Sequence, residues 1–286
     1  MERTMPLPRA GYARFMTSLQ LPRNRAEHLI FLRRLVELWD KTDGKTWEFS
    51  RDRDHLNAPL IYGFTAQAAT LSKAVLTLYA AGQDFAALPL IRTTMECAVT
   101  AAWLSVADFQ TRRVMYAGAE ERRKLLHEIA EHTVVDVSDA LAETLGMLDT
   151  LLEGGTLVEP SYWERFHQLV GGASLYASYR ALCAYGHATP ALAEAYMRQT
   201  EPTPSNPNGL QFASFPEENS PDSWLGSQSC MLLLAQISAD SILSKRMHKT
   251  QLNTFADRLG VQREIVFIPP KVKGINRGSS SADSVV

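Results

Sequence analysis

Two side chains that could act on a phosphodiester lie seven residues apart in the segment Tyr179–His187. On a continuous helix, positions seven apart differ by about 20° around the axis, so Arg180 and His187 share one face. An imidazole can move a proton near neutral pH, and a guanidinium can hold a phosphate and its developing charge. The pair therefore favours acid–base chemistry on a phosphodiester. The alternative interpretation is a histidine satisfied in the core beside a surface arginine.

A second pair of charged side chains lies in the segment 88–104, which is apolar nearly all round and is therefore predicted to be a buried helix. Arg92 and Glu96 are four residues apart and share one face of this helix. Buried charges are costly unless they are paired, so both side chains require partners. Because Arg before Glu is the less favourable order for a mutual pair, each is expected to reach another helix. The alternative is an internal salt bridge that fixes helix packing.

Motifs for nucleotides or metals fail on their spacing. The run Gly44-Lys45-Thr46 resembles the end of a P-loop, but the position that requires the first glycine is Trp39. The segment 127–132, HEIAEH, lacks the histidine that a zinc-protease helix requires and is predicted to be a charged, solvated face. The sequence therefore predicts neither a metal site nor a cofactor.

The elements that position these residues are predicted to be helical almost throughout. Apolar residues recur at helical spacing, and Asn57 and Asp84 are predicted to cap the second and third helices. The joint between those two helices is short, so they should be antiparallel neighbours. Helices are predicted over about 25–41, 58–81, 90–106, 109–132, 138–152, 162–169, 173–187 and 222–247, with a turn or two at 191–197.

The predicted fold class is all-α: a single multi-helix bundle of about six to eight helices with little or no sheet. Residues 1–24 are predicted to form an N-terminal arm, 25–260 the bundle, and 261–286 a mostly disordered tail. The segment 200–219 contains four prolines and is predicted to be a long loop. Short strands are considered at 210–215 and 264–268.

Composition sets limits on the class of protein. The chain has 286 residues, 45% hydrophobic, and a formal net charge of −2, so it is not disordered as a whole. The net charge is near neutral because oppositely charged segments cancel. Residues 128–164 include nine acidic residues and no Lys or Arg, while the chain's two ends are basic. RNA is therefore not excluded as a partner. Three scattered cysteines and no visible secretory signal predict a soluble cytoplasmic protein that does not contact a membrane.

A buried helix with Arg-x3-Glu, followed by Tyr-Arg-x6-His, resembles an uncharacterised bacterial all-helical family, a domain of unknown function. The spacing Arg180-x6-His187 also resembles the Arg-x4–6-His signature of the HEPN superfamily, and the resemblance covers about residues 58–189. HEPN proteins are helical bundles, commonly dimeric, and many are metal-independent RNases of toxin–antitoxin and phage-defence systems. The resemblance places Arg180 and His187 in the catalytic motif and Glu96 as its supporting acid. Arg92 joins this candidate catalytic set beside Glu96.

The resemblance implies an RNase of a toxin or phage-defence type, with RNA as substrate, an antitoxin or other partner protein, and a homodimer. Tyr176, Tyr179 and Tyr185 are predicted to bind substrate, as the aromatic walls of a bundle pocket in which an enzyme would instead act on a small metabolite. The alternative function is a non-catalytic helical protein that binds a partner or a small ligand and contains a buried Arg/Glu/His network. Solvent access to His187 discriminates between the two, because a histidine sealed in the core could not act on RNA.

Overall fold

In a computed structural model, which describes residues 22, 24–50, 56–152, 158, 160–214, 216 and 222–269, the chain forms an all-α bundle with one small sheet. The fold class predicted from the sequence is confirmed. The described residues contain ten α-helices rather than six to eight, because the turn expected at 191–197 includes the short helix α8 and because α10 was not predicted. The helices are α1 Arg25–Asp40, α2 Asn57–Ala80, α3 Leu88–Val106, α4 Thr111–His132, α5 Ser138–Leu152, α6 Tyr162–His167, α7 Gly172–Gly186, α8 Pro190–Glu194, α9 Ser223–Ser241 and α10 Lys249–Leu259.

Helix α3 lies at the centre of the core, as its uniformly apolar sequence predicts. It packs against α2, α9, α7 and α6, and α1 packs against α9 and α2. Its side chains Ile91, Met95, Trp103 and Leu104 are fully buried. The indole of Trp103 donates to Gln168 Oε1 over 2.7 Å, so its polar atom is satisfied inside the core. Any group carried by α3 is therefore held in a rigid setting.

The two predicted helix caps are wrong. Asn57 is the first residue of α2 and is buried; its amide donates to Leu104 O at 3.1 Å and to Thr111 Oγ1 at 2.9 Å. Asp84 makes no side-chain cap bond, and its buried carboxylate instead pairs with Arg25 at the start of α1. Both polar residues therefore connect distant elements. Each side chain bonds to a distant partner and does not cap a helix, which is the local role that its residue type favours.

The C-terminal part of the bundle differs from the sequence prediction. Helix α9 ends at Ser241 rather than near 247, and the chain then turns so that Asp240 Oδ1 accepts from the backbone of His248 over 2.9 Å. Helix α10, which the sequence analysis did not predict, follows at Lys249 and buries Leu252 and Ala256.

The small sheet pairs β1, Met197–Gln199, with β2, Leu210–Phe212, in antiparallel register. Strand β2 lies where a strand was considered, so part of the expected long loop is a hairpin. At 264–268 the described residues form an isolated β-bridge, between Leu169 and Phe267, rather than the strand that was considered there. Of the tail predicted to be mostly disordered at 261–286, residues 270–286 lie outside the described residues, as does the N-terminal arm up to residue 21, and the proposed domain division stays a prediction. None of the described helices is long and apolar enough to cross a membrane.

Candidate active site

Helix α7 carries the predicted catalytic motif. It begins after Gly171, whose φ of 80° places it in the left-handed region, and ends where His187 takes an extended backbone conformation. Arg180 and His187 are both exposed. The Tyr176 hydroxyl, on the same face, raises the pKa of the Arg180 guanidinium above its usual range through a hydrogen bond. The motif side chains are therefore open to a substrate in the described structure.

Arg92 and Glu96 form an ion pair with each other, with 2.7 Å between Nη2 and Oε1 and side chains 18% and 16% exposed. The expectation that their order disfavours a mutual pair is wrong. Both also reach α7, because the Tyr179 hydroxyl donates to Glu96 Oε1 over 2.9 Å and Arg92 Nε donates to Cys183 Sγ over 3.4 Å. Arg92 Nη2 lies 3.3 Å from the Tyr179 hydroxyl as a further donor. The pair thus joins α3 to α7.

The electrostatics of this network favour the charged arginine. Burial opposes the charge of Arg92, but its hydrogen bonds to Cys183 and Tyr179 and the nearby Glu96 carboxylate outweigh burial and raise the pKa of Arg92 above its usual range. Burial, together with the hydrogen bond to Glu96, raises the pKa of Tyr179 to about 12. At neutral pH the network therefore consists of a cation, an anion and a neutral phenol.

Gly186 allows Arg92 to approach α7 closely. A Cβ at Gly186 would lie 3.0 Å from Arg92 Cδ, so the side chain of Arg92 passes directly over the end of the helix. Gly186 is the last residue of α7. The structure shows that it also makes room for the arginine one helix away.

Arg165 on α6 is a buried cation that the sequence analysis did not select. It is 4% exposed, and Nη1 donates to Thr100 Oγ1 over 3.0 Å while Nε donates to Pro160 O over 3.1 Å. Its guanidinium lies over the rings of Tyr162 and Trp103, 4.9 and 5.5 Å from their centroids. Burial lowers the pKa of Arg165 to about 10, against the opposing effect of Glu96. A six-residue helix offers no periodicity from which this inward position could have been inferred.

The predicted site residues form two groups in the structure. Arg92, Glu96 and Tyr179 are brought together between α3 and α7. Tyr176 lies beside Tyr179, with 5.9 Å between ring centroids, and both contact Phe166 of α6 at 5.5 Å, whereas Tyr185 contacts Phe85 at 5.4 Å. In the described residues, no hydrogen bond or ion pair joins Glu96 to Arg180 or His187. The three tyrosines therefore do not line a single wall.

A buried thiol beside this network gives a testable consequence. Burial, and then the neighbouring Glu96 charge, raise the pKa of Cys97 to about 11. Because the thiolate is the nucleophile, we expect iodoacetamide to modify Cys97 at pH 8 on the order of a hundredfold more slowly than an exposed thiol. The rate should keep rising up to about pH 11. Peptide mapping by mass spectrometry measures it, and the urea-unfolded chain is the control. Equal rates in both states would contradict the prediction.

The described residues contain no group of three or more His, Cys, Asp or Glu side chains placed to hold a metal ion. The fold and site thus define an all-α bundle in which α7 carries an exposed Arg-x6-His motif and contacts an internal Arg–Glu–Tyr network. A family model described as "Family of unknown function (DUF5677)" matches residues 59–204, about half of the chain, and the protein belongs to this family. Comparisons with curated proteins and with solved structures gave no match.

Proposed function

We propose that the protein is a metal-independent ribonuclease of the HEPN type, in which Arg180 and His187 act on RNA. The observation that carries the proposal is that both side chains are exposed on α7, with His187 directly after the last helical residue. A histidine at this position is accessible to a phosphodiester, and the motif arginine, seven residues earlier, is permanently charged at neutral pH.

In the proposed reaction, the 2′-hydroxyl of RNA attacks the adjacent phosphorus. His187 takes the hydroxyl proton as the new P–O2′ bond forms, and Arg180 stabilises the negative charge of the phosphorane-like state. The P–O5′ bond breaks, and the leaving 5′ oxygen takes up a proton from an acid. In a homodimer that acid is a second His187. The products are a 2′,3′-cyclic phosphate and a 5′-hydroxyl.

Arg92 and Glu96 serve this proposal as positioning residues. Glu96 accepts from the hydroxyl of Tyr179, which precedes Arg180 in the chain, and Arg92 bonds to Cys183 on the next turn of α7. The network therefore fixes the rotation of α7 about its axis. The proposed setting is a toxin or phage-defence system in the cytoplasm, in which an antitoxin or other partner protein restrains the nuclease.

The test is cleavage of structured and single-stranded RNA by purified protein in the presence of EDTA. We expect wild type to leave 2′,3′-cyclic phosphate ends, and His187→Ala and Arg180→Ala to cleave at least about 10²-fold more slowly. The matched controls are His132→Ala, another exposed histidine at the end of a helix, and Arg258→Ala, an exposed helical arginine. Both should retain wild-type rates.

Two results would overturn the proposal: no cleavage of any RNA by wild type, or an unchanged rate in folded His187→Ala. The first result would favour the alternative of a non-catalytic helical protein, and the second would show that His187 does not carry out the cleavage. Circular dichroism of each variant confirms that the fold is retained, which is expected because both motif side chains are exposed.

A further inference from the structure

A cavity of about 510 Å³ lies between the core and the hairpin of α4 and α5. Its floor is formed by α2, α3 and α6, and α4 forms the opposite wall. The volume falls within the range of small-molecule sites in proteins, about 300–1,000 Å³. No residue of α7 is among those that line the cavity, so the cavity is distinct from the exposed motif at Arg180 and His187. Most of its lining is apolar or aromatic: Leu60, Phe64, Val114, Met115, Met147 and Tyr162.

Three of the polar residues that line the cavity, Glu96, Thr100 and Arg165, lie on α3 and α6, whereas Glu121 and Arg122 line it from α4 and are ion-paired with Lys124 and Glu143. Glu96 and Thr100 are four residues apart and lie on one face of α3. Glu96 Oε1 is occupied by Arg92 and Tyr179, whereas Oε2 takes no hydrogen bond from the described residues and is not a sealed buried atom. Oε2 is therefore an acceptor that a molecule in the cavity can reach.

Thr100 supplies the complementary group. Its oxygen accepts from Arg165 over 3.0 Å, and its own hydroxyl proton has no acceptor among the described residues. A carboxylate acceptor and a hydroxyl donor thus stand side by side at the end of an apolar chamber. Because the Glu96 charge is already balanced by Arg92, the site matches a neutral ligand better than an ammonium ion.

We propose that this cavity binds a neutral, planar heteroaromatic molecule that presents an N–H donor next to a ring acceptor. The N–H donates to Glu96 Oε2, the ring acceptor receives the Thr100 hydroxyl, and the apolar plane lies against the walls that include Phe64 and Tyr162. Donor and acceptor atoms adjacent on one ring edge are typical of nucleobases and related heterocycles. This binding site does not depend on ribonuclease activity.

The probe is 1H-indazole, which is neutral and carries an N–H beside a ring nitrogen, and its matched control is 1-methylindazole, which has lost the donor. We expect isothermal titration calorimetry with the full chain to give a Kd at least tenfold lower for 1H-indazole. Loss of a hydrogen bond to a charged acceptor accounts for a difference of this size.

A variant that fills the cavity shows where the probe binds. Gly118 lines the cavity on α4, and a Cβ there would meet no atom within 4 Å, so Gly118→Leu can extend into the chamber. The matched control is Gly63→Leu, a second helical glycine with open space that does not line the cavity. Both substitutions introduce a better helix former, so both proteins should fold.

We expect Gly118→Leu to weaken 1H-indazole binding at least tenfold and Gly63→Leu to leave it unchanged. Equal affinity for 1H-indazole and 1-methylindazole would overturn the proposal, as would wild-type affinity in Gly118→Leu or no binding of 1H-indazole at millimolar concentration. RNA cleavage in EDTA is a separate readout, so failure of this proposal leaves the proposed nuclease function intact.

Discussion

Gly172→Ala is expected to lower the free energy of unfolding by about 3 kcal/mol, a large cost for one added methyl group. A Cβ at Gly172 would lie 1.7 Å from the carbonyl oxygen of Phe166 and 2.6 Å from its carbonyl carbon. Both are backbone atoms, and that oxygen also accepts from the amide of Leu169 over 3.1 Å. The clash therefore cannot be relieved by a rotamer change and must move α6 against α7.

Urea unfolding followed by circular dichroism measures this effect, and two other glycines make a graded control series. At Gly118 a Cβ would meet nothing, so Gly118→Ala should stabilise the chain by up to about 1 kcal/mol through helix propensity alone. At Gly186 the close neighbour is the flexible side chain of Arg92, so Gly186→Ala should fall between the two. If Gly172→Ala were as stable as Gly118→Ala, the close approach of α6 to α7 would be contradicted.

The sequence predicted the long helices well because burial imposes a regular spacing on their apolar residues. The predicted range 138–152 and the structure's α5 coincide, and α1 differs by one residue at its end. Helix α9 was predicted too long because Ile242 and Leu243 continue the apolar pattern although the chain has left the helix. The spacing of apolar residues indicates which residues are buried. Buried residues that follow the end of a helix therefore make the predicted helix too long.

The hydrogen-bond partners of polar residues were harder to predict, because a local sequence pattern does not show which distant residue a side chain will contact. Asn57 and Asp84 have the residue types of helix caps, yet their bonds join elements 47 to 59 residues apart in the chain. Arg92 and Glu96 were correctly selected as charges that need partners, but a helix-surface preference of about 0.2–0.5 kcal/mol gave the wrong pairing. Between α3 and α7 the charges are shielded from water, so their mutual attraction is stronger. That attraction and the hydrogen bond from the Tyr179 hydroxyl outweigh the preference.

The cavity and Arg165 could not be inferred from the sequence at all. Their positions depend on where α6 docks against α3 and on the gap that the hairpin of α4 and α5 leaves above it. Those distances are set by tertiary packing over more than 60 residues of separation, as in the bond from Arg165 to Thr100. Helical spacing within one element contains no information about such a gap.

Glu96→Met is expected to destabilise the chain by about 3 kcal/mol, because it leaves the Arg92 guanidinium largely buried without its carboxylate and removes the acceptor of the Tyr179 hydroxyl. Arg92→Met should cost a similar amount by leaving the carboxylate unpaired. The double variant Arg92→Met/Glu96→Met removes both charges and keeps apolar volume, so it should be more stable than either single variant. Tyr179→Phe, which removes only the hydroxyl, should cost about 1 kcal/mol.

Urea unfolding of the four proteins of this double-mutant cycle gives the coupling energy, which we expect to be at least about 2 kcal/mol. The matched control is the exposed pair of Lys73 and Asp40, also 2.7 Å apart but with side chains 52% and 48% exposed. Its coupling should stay below about 1 kcal/mol, since solvent screens it. Equal coupling in the two pairs would show that burial does not strengthen the pair of Arg92 and Glu96.

The folded double variant then separates packing from positioning. If the pair only fills the space between α3 and α7, the variant should cleave RNA at the wild-type rate. We expect instead a loss of about tenfold, because Tyr179 loses its acceptor and Arg180, the next residue on α7, is no longer held at a fixed rotation. The measurement is the single-turnover rate in EDTA at saturating RNA, which binding changes do not affect. An unchanged rate would assign Arg92 and Glu96 to stability alone and leave His187 and Arg180 as the whole of the proposed catalytic site.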